Sequence, residues 1–140
     1  MKKTTIAKMI ESSSIPASLI RATVRQSGGW ESFTDHAEDV TNHGASGGFS
    51  GWIYYTETEA FTRRNRAAIA QLAEDMASDI GEGSAVALVK GFNCLDGATE
   101  SECARALYGK AKPDDSNVEN ALAWFALEEV SRAYCDLMDR

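Results

Sequence analysis

At 140 residues the chain is long enough for one domain, 1–140, that buries about two thirds of the surface its unfolded form exposes. Hydrophobic residues at 44% and charged residues at 25% match globular averages and exclude a disordered or low-complexity chain. A formal net charge of −7 excludes a general phosphate-binding surface, which needs clustered Lys and Arg, so direct nucleic-acid binding is not expected.

Ile6, Met9 and Ile10 recur at helical spacing within residues 4–13, and Ser12, Ser13 and Ser14 end the pattern, which predicts a short first helix. Pro16 suits the first turn of a second helix, whose apolar stripe is Leu19, Ile20, Thr23 and Val24 and whose stop is Gly28-Gly29. A third helix is predicted from Glu31 to about Asn42. Its apolar residues are Trp30, Phe33, Ala37 and Val40, its C-cap is Gly44, and Asp35, Glu38 and Asp39 form a solvated face.

The stretch His43–Phe61 carries four of the eleven glycines and five of the twelve aromatic residues. Glycines packed this densely suggest a shaped turn, and the rings of Trp52, Tyr54 and Tyr55 suggest a buried segment after it. Trp52–Tyr55 reads as a minimal strand that needs a partner, such as Gly91–Leu95, or else as a structured loop. Thr56 with Glu59 then gives a capping-box pattern for a long helix reaching Ile80. Phe61, Ala68, Ile69, Leu72, Met76 and Ile80 share one arc of it, and Gly81 and Gly83 end it.

Ser84 caps a brief helix through Val86 and Val89, broken at Gly91, and Thr99 with Glu102 opens another containing Cys103, Ala106 and Leu107, closed by Gly109. Ser116 with Glu119 makes a third capping box, for a C-terminal helix of about 22 residues. Leu122, Ala126, Val130, Ala133, Tyr134 and Leu137 lie on one broad face of it, which is expected to pack antiparallel to the Glu57–Ile80 helix. The predicted fold is mostly α (α+β), with six or seven helices around one core and at most a small β-hairpin or short strand near Trp52–Tyr55.

Candidate chemistry is sparse. Gly44-Ala-Ser46-Gly-Gly48 matches G-x-S-x-G, but a helix precedes it and an aromatic segment follows, the reverse of the context a nucleophile elbow needs. His36, Asp39 and His43 stand at i, i+3 and i+7, short of the three or four convergent ligands of a metal site, and His43 suits a helix C-terminus. Cys94, Cys103 and Cys135 are an odd set without a C-x-x-C pair, which points to a reduced, cytoplasmic protein. No apolar run approaches membrane-spanning length. No catalytic residue, metal or cofactor is therefore expected.

Arg63, Arg64 and Arg66 form a dense basic cluster at a helix N-terminal end, where cations are disfavoured. Such arginines either pair with acids or form a small anion- or partner-binding patch. The acids group as Glu31, Asp35, Glu38 and Asp39; as Glu74, Asp75, Asp79 and Glu82; and as Glu128, Glu129, Asp136 and Asp139. Such groups are usually solvated faces that keep a protein soluble, but two of them on one side imitate the charge spacing of a duplex backbone.

The Gly-Gly-Phe-Ser-Gly-Trp-Ile-Tyr-Tyr-Thr-Glu-Thr run at 47–58 resembles a small protein family encoded by phages and other mobile elements, as do Gly91-Phe-Asn-Cys-Leu95 and Ala106-Leu-Tyr-Gly109. More distantly, Gly47-Gly48-Phe49, Trp52-Ile-Tyr54-Tyr55-Thr56 and Ala60-Phe61 resemble the ArdB/KlcA-type antirestriction proteins, with an extra Ser50-Gly51 and without the glycines before the last pair. The resemblance implies a counter-defence protein in the host cytosol, an anti-CRISPR or antirestriction inhibitor whose partner is a host defence complex, a Cas effector or a restriction enzyme. Ser46, Phe49, Trp52, Tyr54, Tyr55, Arg63, Arg64 and Arg66 are the candidate binding residues, with Asp35, Glu38, Asp39, Glu74, Asp75, Glu128 and Glu129 as the acidic surface. Two other readings stand beside it. One is a small enzyme or ligand-binding protein at the His43–Tyr55 turn, using Ser46, His43 and Tyr54 or Tyr55; the other is a regulatory homodimer joined through the C-terminal helix.

Overall fold

A computed structural model describes residues 2–45, 55–81, 83–92, 97–110, 112 and 115–139. Among these residues the structure is entirely helical, in the order α1 (Lys2–Ser12), α2 (Ala17–Gln26), α3 (Trp30–His43), α4 (Tyr55–Arg64), α5 (Arg66–Ile80), α6 (Ala85–Lys90), α7 (Glu100–Leu107) and α8 (Ser116–Met138). The predicted mostly-α class is what the chain adopts. Of the predicted strand, Trp52–Tyr54 lie outside the described residues and Tyr55 is the first residue of α4; the suggested partner segment is likewise outside at 93–95.

The described residues group into two compact units. One comprises residues 1–54 with 124–140, the other 55–123. In the first, Ser13 ends α1, because its hydroxyl donates to the Met9 carbonyl at 2.7 Å and competes with the next helical turn. Pro16 stands immediately before α2, and its carbonyl accepts from Leu19 and Ile20. Gly28 and Gly29 then reverse the chain at φ values of 92° and 114°, which side-chain-bearing residues rarely adopt. Leu19, Ile20, Thr23 and Val24 are all buried, as are Phe33, Ala37 and Val40 of α3. Trp30, Phe33 and Tyr134 close an aromatic trio with centroids 5.5–5.9 Å apart, its two contacts with Tyr134 edge-on.

In the second unit the long helix predicted from Glu57 to Ile80 is broken once, at Asn65. The Asn65 amide Nδ2 donates to the Phe61 carbonyl at 2.9 Å, and its backbone leaves helical geometry at φ −114°, ψ 16°. An asparagine side chain that bonds its own backbone offers an alternative to the helix ladder, and with this break the described residues form eight helices where six or seven are predicted. Ser84 and Thr99 cap α6 and α7 as predicted, each hydroxyl accepting an N–H three residues on at 3.1 Å. Phe61, Ile69, Leu72, Val89, Leu107 and Leu122 are buried in this unit.

A polar clasp joins Arg105 of α7 to Asp115. Arg105 donates through Nε and Nη2 to the two Asp115 oxygens at 2.8 and 2.9 Å, and the Lys112 backbone N–H adds a third bond at 2.9 Å. The Arg105 guanidinium, ahead of the Lys112 N–H, holds the Asp115 carboxyl down at about 2, outweighing the burial of the residue. Its folded value lies below the ordinary 3.8, so the clasp is fully present above pH 4 and is lost as pH falls towards 2. Asp115→Asn should therefore flatten the acid limb of an unfolding curve between pH 4 and 2. Parallel acid limbs for wild type and variant would show that the clasp carries no linkage.

Candidate functional site

The predicted basic cluster divides when its partners are located. Glu119, 1% exposed, receives Arg63 Nη2 on Oε1 at 2.9 Å, Arg63 Nε on Oε2 at 3.3 Å and Arg66 Nη2 on Oε2 at 2.8 Å. Arg63 also lies 3.6 Å from Glu59, one turn earlier on α4. Hydrogen bonding to Glu119 is the main reason the Arg63 pKa rises above its ordinary value. Two guanidinium groups thus face two carboxylates, and Arg64 alone of the three stands exposed without an ion pair among the described residues.

The spacing from Ser116 predicts a capping-box role for Glu119, but its carboxylate turns to the two arginines instead. Around it, Thr62 Oγ1 donates to the Glu119 backbone carbonyl at 2.5 Å and Thr58 Oγ1 donates to Asn120 Oδ1, all four residues being buried. These contacts gather on one turn of α8, at Glu119 and Asn120. Thr58 and Thr62 stand one helical turn apart, so both hydroxyls project from the same side of α4 as Arg63 and Arg66 reach over.

Gly109 completes the arrangement. Its φ is 86°, and a Cβ there would meet Arg66 Nη1 at 3.2 Å. Gly109→Ala is expected to cost about 1–2 kcal/mol from the left-handed backbone alone, read by urea denaturation. A neutral result would mean that this turn relaxes freely.

Over residues 5–140 the sequence matches the family described as Domain of unknown function (DUF7222). The chain belongs to the DUF7222 family. Neither the comparison with curated proteins nor that with solved structures gave a match. The DUF7222 match takes in residues of both units and reaches well beyond the motifs around His43–Phe61.

The remaining sequence-predicted residues of this DUF7222 chain fall as follows. Ser46, Phe49, Trp52 and Tyr54 lie outside the described residues, as does Cys94. His36 Nδ1 is 2.9 Å from the Ser32 carbonyl and His43 is exposed at the end of α3. Among the described residues no group of three or more His, Cys, Asp or Glu side chains is placed to hold a metal ion.

Asp35, Glu38 and Asp39, with Glu31, are exposed along α3 and form no ion pair among the described residues. Glu74 is exposed and accepts from Tyr108 Oη at 3.3 Å, and Asp75 accepts from Gln71 at 2.9 Å. Burial and the Glu74 charge push the Tyr108 phenol upward. Glu128 and Glu129 are partly buried and bonded to Arg132, and burial raises the Glu129 pKa despite that partner. On α8, Met138 at 50% is the one large hydrophobic residue that stands exposed among the described residues. No helix among them is long and apolar enough to cross a membrane.

Proposed function

We propose that this DUF7222 protein is a non-enzymatic inhibitor from a phage or mobile element that covers a basic surface of a host defence complex in the cytosol. The observation that supports this reading is the outer row of α3. At 100° per residue Glu31, Asp35, Glu38 and Asp39 share one arc, opposite Phe33, Ala37 and Val40. Eight helical steps separate the first from the last, so four carboxylates without an ion pair among the described residues lie along about 12 Å of axis. One strand of duplex DNA carries a phosphate about every 3.4 Å, and the row approaches that density. A basic channel that binds a nucleic-acid backbone presents the charge such a row needs.

The test is affinity capture from a host lysate at low and moderate salt, comparing wild type with an Asp35→Lys, Glu38→Lys, Asp39→Lys triple variant. A Cas subunit or restriction enzyme retained by wild type, released as salt rises and lost by the variant is the expected result. Equal capture by both proteins would sink the reading.

A further inference from the structure

We propose a second binding site, for a small aliphatic anion, in the cleft between α1 and α2. The cleft has a volume of about 810 Å³, within the range of small-molecule sites. Ile6 and Ile10 of α1 and Val24 of α2 line its apolar part, while Lys2, Lys3, Arg21 and Arg25 supply its charge. Ile6 and Ile10 carry the helical spacing of core residues, yet only Met9 of α1 is fully buried; the two isoleucines keep part of their surface open to the cleft.

Among the described residues four cations and no carboxylate line this cleft, in a chain whose net charge is −7. Among the described residues none of the four takes part in an ion pair. Lys2 and Lys3 also sit in the first turn of α1, the end of a helix where positive charge is disfavoured. Unspent positive charge over an apolar lining is complementary to a ligand with an apolar body and an anionic head.

The lining selects the body as well. Among the described residues it contains no aromatic ring on which a nucleobase or other flat ring system would stack, and no amide or hydroxyl side chain to read polar edges. Aliphatic side chains from two facing helices suit an alkyl chain, and the guanidinium groups of Arg21 and Arg25 suit a carboxylate head in bidentate geometry. The occupant is therefore a medium- or long-chain carboxylate bound as a single molecule.

Decanoate, kept below the concentration at which it forms micelles, is the probe. Calorimetry should show one molecule bound per chain, and nuclear magnetic resonance should show the amide signals of Gly28 and Gly29, at the end of the cleft, moving with saturation. Acetate and decyltrimethylammonium, which lack the chain and the negative charge respectively, should not bind. Arg21→Gln with Arg25→Gln, both exposed and outside the core, should weaken decanoate about tenfold or more while circular dichroism stays unchanged. Failure of decanoate to bind, equal binding of the cationic analogue, or unaltered affinity in the double variant would each overturn the proposal, as would binding to anionic vesicles without binding of the monomeric probe.

Discussion

Glu119→Ala is expected to lower stability by about 2–4 kcal/mol, somewhat below the roughly 3–5 kcal/mol for breaking a fully buried ion pair because the stranded arginines are partly exposed. For a chain of this length that is roughly 7–14 °C in Tm. The loss falls unevenly on the two arginines. The Arg63 side chain is 59% exposed and can return to water, whereas that of Arg66 is 21% exposed and its Nε is already buried without a partner among the described residues. Arg63→Ala should therefore cost less than about 1 kcal/mol, as exposed pairs do. Arg66→Ala should cost more, and a double-mutant cycle between Arg66 and Glu119 should give a coupling larger than that between Arg63 and Glu119. Urea denaturation of wild type, the three single variants and the two double variants decides it. Equal couplings would mean that burial does not rank the two contacts.

Phe33→Ala should be costlier still, about 3–5 kcal/mol. Phe33 is 1% exposed, so truncation opens a cavity that its neighbours fill only in part. It also removes two of the three contacts in the trio with Trp30 and Tyr134, each worth about 0.5–1.5 kcal/mol beyond the area buried. Phe33→Leu keeps most of the volume and should cost less than about 1.5 kcal/mol. Near-ultraviolet circular dichroism gives a second readout, because the Trp30 and Tyr134 rings lose the neighbour that fixes their orientation. An alanine variant within about 1 kcal/mol of wild type would place the trio outside the core.

Much of this was legible in the sequence because local chemistry decided it. Thr99 and Ser84 cap helices that were predicted from their hydroxyls, and the buried residues of α2 and α3 follow a 3.6-residue period that no tertiary contact had to enforce. The misread points are those where one residue has two local uses. Glu119 fits a capping box by spacing, and only knowing that Arg63 and Arg66 lie opposite it shows why the carboxylate turns away. The signal was present in the apolar surroundings Val118 and Ala121–Ala123, where a lone acid requires a cation, and in the arginines placed against the dipole of their helix. Asn65 is similar, since one polar residue on a helical wheel does not announce that its amide will bond the carbonyl four positions back.

The same limit shaped the reading of the acids. Sequence grouping treats Asp35, Glu38, Asp39, Glu128 and Glu129 alike. Arg132 stands within one helical turn of the last two and binds both, whereas the outward arc of α3 contains no cation to do the same.

Cys103 is completely enclosed, and burial, followed by the negative charge of Glu102, pushes its thiol upward. Only the thiolate attacks alkylating reagents, so in the native state this sulfur is protected twice, by access and by protonation. Its labelling rate then counts the openings of residues 55–123, and the partly buried Cys135 supplies a faster reference signal from the other unit of the same molecule. Without any engineered probe, peptide-resolved alkylation can time how often one part of the chain breathes while the other is watched in parallel.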